Sequence, residues 1–310
     1  MRVAINGFGR IGRLVARQLN NVVAINDIMD VPTREYLYKH DSIQGRHEGT
    51  LDGILQLRVP EIEDLPWLNL DIDLVIEATG KYTGKDKILW HITGSAKRVL
   101  ITCPMPDADI TLFMGVNELK YVPSKHYIIS AGSCTANCVA PVLDGLDRTF
   151  GVESAYLVNL NAVTPNQTLV DSPHPDHRRG RNALLNIIPT QCTAVPCLKQ
   201  VFSFPIDGMA FRVPVACGSV CHITAELKQD TSKQEVNDAL AAMSTPILGY
   251  SEEELVSSDI VGDTHSCIVD GLCTQVDGKR AHIVAWYDNE MGFAARVADL
   301  VRYIGKEVKS

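Results

Sequence analysis

Arg2-Val-Ala-Ile-Asn-Gly7-Phe-Gly9-Arg-Ile-Gly12 is the stretch that decides the fold. Its opening residues read as a buried strand, and the glycines turn that strand into a helix running to about Leu19. Each glycine has its own task. Gly7 permits the tight turn, Gly9 lets backbone approach a pyrophosphate, and Gly12 allows the helix to lie close on the strand. A second strand, Val22-Val-Ala-Ile25, ends at Asp27, about 20 residues on, where an acid holds ribose hydroxyls. An aspartate at a strand end also suits a simple turn, but after this glycine pattern it predicts NAD. A carboxylate there would repel the 2′-phosphate of NADP.

Working outward, short β runs alternate with helical stretches up to Ser130, and Asp73-Leu-Val-Ile-Glu77 and Arg98-Val-Leu-Ile-Thr102 read as buried strands. The expected architecture is α/β, a Rossmann-type doubly wound parallel sheet. Beyond that point longer alternating strands take over, among them Ser154–Asn159, His222–Leu227 and His282–Trp286. They predict a second, α+β domain on a mostly antiparallel sheet. Ser232-Lys-Gln-Glu235 is a capping box opening a helix through Met243, and Met291 to Val308 reads as an amphipathic helix.

At the junction stands Ser130-Ala-Gly-Ser-Cys-Thr-Ala-Asn-Cys138, which places Cys134 in the first turn of a helix directly after a short apolar strand. Unpaired N–H groups and the positive end of the helix dipole favour thiolate there, so the sequence predicts a nucleophile of low pKa needing no neighbouring cation. Buried cysteine is more often inert; the motif argues for function. Cys138, one turn further in, is expected to pack.

These motifs, with Trp286-Tyr-Asp-Asn-Glu290, make the chain resemble the phosphorylating glyceraldehyde-3-phosphate dehydrogenases. The resemblance runs end to end through Ala4–Arg13, Lys39-His-Asp-Ser42, Ala78-Thr-Gly80, Ala96-Lys-Arg-Val99, Gly115-Val-Asn117, His174-Pro-Asp-His-Arg-Arg179, Asn186-Ile-Ile-Pro189 and Met209-Ala-Phe-Arg-Val-Pro214. It implies an NAD-binding domain of residues 1–133 plus 290–310 and a catalytic domain of residues 134–289. It also implies NAD contacts from Gly7, Gly9, Arg10, Ile11, Gly12, Asp27, Thr79, Thr102 and Asn289, the last orienting the carboxamide. Ser133, Thr135, Thr164, Thr193 and Arg212 fall at substrate or phosphate positions, although strand arginines are also common structural ion-pair partners. The family's long loop between Thr164 and Pro189 lines a neighbouring subunit's cofactor site, which implies a homotetramer.

The chain departs from the family at the chemistry. Where the family has a histidine in a His-Ala-Tyr-Thr strand, this sequence reads Asn161-Ala-Val-Thr164. By resemblance that histidine removes the hydroxyl proton of the thiohemiacetal, whereas an asparagine amide accepts no proton at neutral pH. His177, in the nearby loop, is the one candidate replacement. The family's Ser-Thr-Gly after Ile-Ile-Pro-Thr is replaced by Gln191-Cys-Thr193, which alters the Thr-Gly anion contact. The segment before Trp67, where the family often has a basic residue beside the adenine, reads Arg58-Val-Pro-Glu-Ile-Glu-Asp64 here and predicts looser adenine contacts.

With 310 residues, 45% hydrophobic and 21% charged, the chain is long enough for two cores. Its formal net charge of −8 argues against a nucleic-acid surface, and the basic run Arg178-Arg-Gly-Arg181 reads as a solvated loop or subunit contact. No apolar stretch approaches the ~20 residues of a membrane helix, and the N-terminus enters a strand without a leader, so a cytoplasmic protein is expected. Nine cysteines lack zinc-type spacing apart from Cys217 and Cys221, which read as small apolar filling, and no metal is expected.

The sequence therefore predicts an NAD-dependent enzyme that oxidises a small phosphorylated aldehyde through a Cys134 thioester and releases the acyl group to inorganic phosphate, with Asn161 limiting the rate. Two alternatives stay open. One is an NAD-binding pseudoenzyme or scaffold; the other is an enzyme of the same fold acting on a different aldehyde or acyl thioester, with Asn161 binding an oxyanion.

Overall fold

A computed structural model of the protein describes residues 1–308. The chain forms two compact units, Met1–Ser133 with the segment from Phe293 onward, and Cys134–Gly292.

In the first unit, strands β1 (Val3–Asn6), β2 (Val22–Asn26), β3 (Leu55–Leu57), β4 (Leu74–Glu77), β5 (Arg98–Ile101), β6 (Ile110–Thr111) and β7 (Ile128–Ser130) build one sheet in the order β3-β2-β1-β4-β5-β7-β6. Every pairing is parallel. The central strands β1 and β4 are buried at every position, as strands covered on both faces must be. Helices α1 (Arg10–Ala16), α2 (Val31–Lys39), α3 (Trp67–Leu70) and α4 (Lys85–Thr93) are the crossover elements. The first ends three residues before the predicted Leu19. The order in which strands are added reverses between β1 and β4, the switch point where doubly wound sheets open a crevice at their carboxyl ends.

A buried polar chain runs through this unit. The indole Nε1 of Trp67 donates to His91 Nδ1 at 2.8 Å, and His91 Nε2 lies 3.0 Å from the Glu77 carboxylate. Glu77 also takes the Asn6 amide at 2.6 Å, and Asn26 donates to Asn6 at 2.8 Å. Each member is satisfied by the next, which is how polar groups survive in a core.

The second unit starts with helix α5 (Cys134–Phe150). Strands β8 (Val152–Asn161), β9 (Ile188–Thr190), β10 (Ile206–Arg212), β11 (Ser219–Leu227), β12 (Leu248–Ser251), β13 (Cys267–Asp277) and β14 (Arg280–Tyr287) form a second sheet, ordered β12-β13-β14-β11-β8-β10-β9. Four of its pairings are antiparallel and two parallel. Its strands alternate, and in β11 every second residue from Ser219 to Leu227 is buried. Helices α6 (Ala194–Leu198) and α7 (Lys233–Ala242) complete the unit, the latter opened by the predicted Ser232–Glu235 capping box.

The C-terminal helix α8 (Met291–Glu307) buries a continuous apolar stripe, Phe293, Ala294, Val297, Ala298, Leu300, Val301 and Ile304, in the first unit. Arg302 anchors it by donating to the Gln18 carbonyl at 2.7 Å.

Candidate active site

The nucleotide crevice of the first unit is a cavity of about 440 Å³ lined by Gly7, Gly9, Asp27 and Thr79 at the strand ends and by Ile28, Val59, Pro60, Ile62 and Leu65 on its apolar side. The glycines behave as their spacing predicts. Gly7 adopts φ +95°, where a side chain is strained, and a Cβ on it would collide with Thr79 backbone. A Cβ on Gly12 would overlap the Gly7 carbonyl oxygen, whereas one on Gly9 meets only open space, the room a pyrophosphate needs. Asp27 accepts from Phe8 N–H at 2.6 Å and Met29 N–H at 2.9 Å, which fixes its carboxylate at the cavity wall. These residues fit a dinucleotide.

Other predicted cofactor residues stand apart from that wall. Arg10 pairs with Asp41 at 3.0 Å, and Ile11 belongs to the first turn of α1. Thr102 donates its hydroxyl to the Glu77 carbonyl at 3.1 Å. Asn289 belongs to the second unit, where its Oδ1 accepts from Ser219 Oγ at 3.0 Å. Ser219 Oγ in turn accepts from Ala162 N–H at 3.0 Å, so one buried hydroxyl holds both the Asn289 amide and the end of β8.

The sheet of the second unit carries its chemistry in a row. Strand register sets Tyr287 opposite Ser219, and Arg212 opposite Asn161, all at the strand ends. Tyr287 O–H donates to Asn161 Oδ1 at 2.9 Å, Thr135 Oγ1 lies 2.8 Å from the Tyr287 hydroxyl, and Thr135 also reaches Asn161 Oδ1 at 3.3 Å. The amide's one acceptor is thus committed to two hydroxyls, and what Asn161 has left to offer is the donor pair on Nδ2. Arg212 donates through Nη1 to the Ala162 carbonyl at 2.9 Å, while its buried Nε has no protein partner, an orphaned donor that an anion would satisfy.

Cys134, half-buried at the start of α5, differs from its sequence expectation. Burial pushes the thiol up from its ordinary value, and the lowering effects of the Arg212 guanidinium and the Thr135 N–H fall short of that penalty. The low-pKa thiolate expected of the helix start is therefore not what burial at this sulfur favours. The cation that sequence reasoning treated as unnecessary is present, in Arg212, and it is insufficient. Burial also pushes Tyr287 well above its ordinary value, so that phenol stays a donor.

The remaining substrate positions are dispersed. Ser133 ends the first unit. Thr164 turns its N–H and hydroxyl to Gln167 Oε1 at 2.8 and 3.1 Å. Thr193 is exposed at the head of α6; its neighbour Cys192 faces inward instead, accepting from Asn159 Nδ2 at 2.9 Å. His177 is exposed and lines a surface cavity with Arg178, Arg179, Thr190 and Gln191, outside the Cys134 network.

Comparison with known proteins agrees with this geometry. The NAD-binding domain model of glyceraldehyde 3-phosphate dehydrogenase matches residues 1–85, and the C-terminal domain model matches residues 133–289. Glyceraldehyde-3-phosphate dehydrogenase 2 of Bacillus subtilis is 40% identical over 333 aligned positions, covering 100% of this chain and 98% of its own. The chain belongs to the glyceraldehyde-3-phosphate dehydrogenase family. The Streptomyces coelicolor glyceraldehyde-3-phosphate dehydrogenase is 42% identical, and that of Geobacillus stearothermophilus 40%, each with 99% of both chains covered. NAD is accordingly the cofactor of the first unit.

Sequence reasoning missed Tyr287 and Ser219 as parts of these hydrogen-bond networks. Both lay in plain view, Tyr287 inside the quoted Trp286–Glu290 motif. The feature that marks them is burial: Tyr287 is 1% exposed and Ser219 0%, so their hydroxyls must have partners.

Proposed function

We propose that the protein is an NAD-dependent oxidoreductase that converts a small phosphorylated aldehyde, of the glyceraldehyde 3-phosphate type, to an acyl phosphate through a thioester on Cys134, slowly for want of a base. The observation that carries this reading is the Tyr287–Asn161–Arg212 row beside Cys134, a nucleophile with a cation and hydrogen-bond donors but no proton acceptor.

NAD supplies the hydride acceptor, held by Gly7, Gly9, Asp27 and Thr79. Cys134 Sγ adds to the aldehyde carbonyl, and Asn161 Nδ2 is the donor suited to the oxygen that becomes negative. Arg212, with its unpartnered Nε, takes the substrate or attacking phosphate. The hydroxyl proton of the adduct finds no acceptor: Asn161 Oδ1 is occupied and non-basic, Tyr287 is protonated, and Arg212 is a cation. It leaves to water, and the missing base costs about 10²- to 10⁴-fold in rate.

The same absence favours a second reading, an NAD-binding pseudoenzyme. NADH formation from glyceraldehyde 3-phosphate, NAD and phosphate decides between them. Slow turnover that disappears in Cys134→Ser, with NAD binding intact, supports the enzyme. No turnover in the parent protein at any enzyme concentration overturns it.

A homotetramer fits the surface of the second unit. The loop after β8 exposes Leu169, Val170, Leu184, Leu185 and Ile187, and the open sheet face exposes Tyr156, Leu160 and Met209, apolar groups that a second copy would cover. Native mass spectrometry should show four chains; a monomer at micromolar concentration would refute it. The nine free thiols suit a reducing compartment, the cytoplasm. Among the described residues no helix is long and apolar enough to cross a membrane.

A further inference from the structure

The loop that carries Asp27 to the crevice is built over a buried cation. Ile28 is exposed and Asp27 and Met29 are half-buried, so the loop has no core of its own. Against it lies Arg34 of α2, which is 0% exposed. Its Nη2 donates to the Asp27 carbonyl at 2.5 Å and to the Met29 carbonyl at 2.7 Å, and its Nε donates to the Met29 carbonyl at 3.1 Å. Arg58 Nε donates to the Ile28 carbonyl at 2.9 Å, and the Arg34 N–H to the Asp30 carbonyl at 3.1 Å. Every carbonyl from Asp27 to Asp30 is thus held, while the Asp27 carboxylate is fixed by the N–H groups of Phe8 and Met29.

A fully buried arginine is rare and its desolvation is costly. Burial pulls this guanidinium below its ordinary value, and Asp27 is the charge that most opposes the shift. Its Nη1 has no hydrogen-bond partner among the described residues. Fold support alone does not require such a group, since an apolar side chain of similar length would fill the space without that penalty. What an apolar side chain cannot do is hold two carbonyls of one loop on a single fork and set a positive charge behind the carboxylate between them. We propose that Arg34 is a positioning residue for NAD, acting through Asp27: its guanidinium sets the Asp27–Met29 loop so that the carboxylate meets the adenosine ribose hydroxyls, and Arg34 itself never touches the cofactor.

This role rests on the crevice as the NAD site and on Asp27 as its ribose ligand. Its consequence is affinity. A binding group must be held to within about 0.5 Å of its productive place by the residues behind it. Asp27 sits on an exposed loop, so packing cannot supply that precision, and the Arg34 fork does. Release of the Asp27 and Met29 carbonyls lets the loop drift, and the ordering it then needs is charged to binding. Arg34 is four residues into α2, whose start is fixed separately by the Asp30 side chain accepting from Thr33 N–H at 2.8 Å. The helix therefore keeps its cap when the guanidinium is removed, and the loop loses its anchor.

The test is calorimetric titration of the full chain with NAD and with ADP-ribose, in a double-mutant cycle of Arg34→Met and Asp27→Asn, with the urea midpoint read for each variant. Methionine matches arginine in helix propensity, so α2 is not penalised. Each single change should weaken both ligands ~10-fold. In the Asp27→Asn background Arg34→Met should still lower the urea midpoint, yet change affinity by less than about 2-fold, because the group it positions is gone. Arg34→Lys keeps the cation without the fork, should fall between parent and methionine, and carries the cycle if Arg34→Met does not fold. A lower urea midpoint with NAD affinity unchanged overturns the role, as does an equal loss of affinity in both backgrounds. Unchanged affinity in Asp27→Asn alone overturns the ribose reading of Asp27 and the role with it. None of these readouts needs turnover, so absence of NADH formation leaves the Arg34 result standing.

Discussion

The nucleotide crevice and the Cys134 row have fared differently within one chain. In the crevice, function is built from backbone: a turn at φ +95°, a close approach allowed by Gly12, open room at Gly9 and a carboxylate fixed by two N–H groups. In the row, the chemistry is carried by side chains: an amide, Asn161, stands where the resemblance implies a histidine, with two hydroxyls on its oxygen and an unpartnered Arg212 Nε in the same row. Asn161 occupies its place with two hydroxyls bonded to it and 8% exposure. Packing and hydrogen bonding of this kind constrain volume and polarity rather than basicity, so the row's shape says little about its proton chemistry.

The sharpest way to break that comparison is Asn161→His. If shape is intact and only the base is missing, NADH formation should rise about 10²- to 10⁴-fold, or about 3–5 kcal/mol of barrier, with NAD affinity unchanged. The pH dependence should change too. In the parent protein the Cys134 thiol lies above its ordinary value, so below that value each pH unit raises the thiolate fraction about tenfold. Iodoacetamide alkylation should climb steadily from pH 6 to 8. An imidazolium beside the sulfur would favour thiolate at lower pH, so the variant's profile should flatten. An unchanged rate and profile would mean that the row has lost more than its base.

Two glycines test the crevice, and they should fail differently. A Cβ on Gly12 meets the Gly7 carbonyl, so Gly12→Ala should cost about 1–3 kcal/mol of stability, read from the urea midpoint. Gly9 has φ −71° and open space around its Cβ position, so Gly9→Ala should fold normally yet weaken NAD by ~10-fold or more, at 1.4 kcal/mol per factor of ten. Equal effects on stability would refute the division of labour between them.

How much of this was legible beforehand follows the same line. The parallel sheet, the switch point and the crevice glycines could be read because backbone demands leave a local signature: a glycine spacing, a strand ending in Asp27, an apolar period. The α5 start at Cys134 and the Ser232 capping box were legible for the same reason. The Cys134 acidity was not, since it depends on how much desolvation surrounds the sulfur once Arg212, Thr135 and Tyr287 close over it, a quantity set by residues up to 153 positions away. Nor did the sequence show that Cys192 rather than Thr193 would face the interior, because α6 is too short for periodicity to choose a face.

The smallest effect isolates the hydroxyl that local reading passed over. Tyr287 O–H holds Asn161 Oδ1 at 2.9 Å and meets Thr135 at 2.8 Å. Tyr287→Phe removes a buried hydrogen bond worth about 1 kcal/mol net, but leaves Thr135 able to donate to the same oxygen at 3.3 Å. The fold should persist, and turnover should fall only a few-fold, through kcat, as the Asn161 amide loses its fixed orientation. In an Asn161→His background the same change should cost more, because the tyrosine would then help orient the base rather than a donor. Equal costs in the two backgrounds would show that Tyr287 supports the packing of the row and takes no part in aiming residue 161.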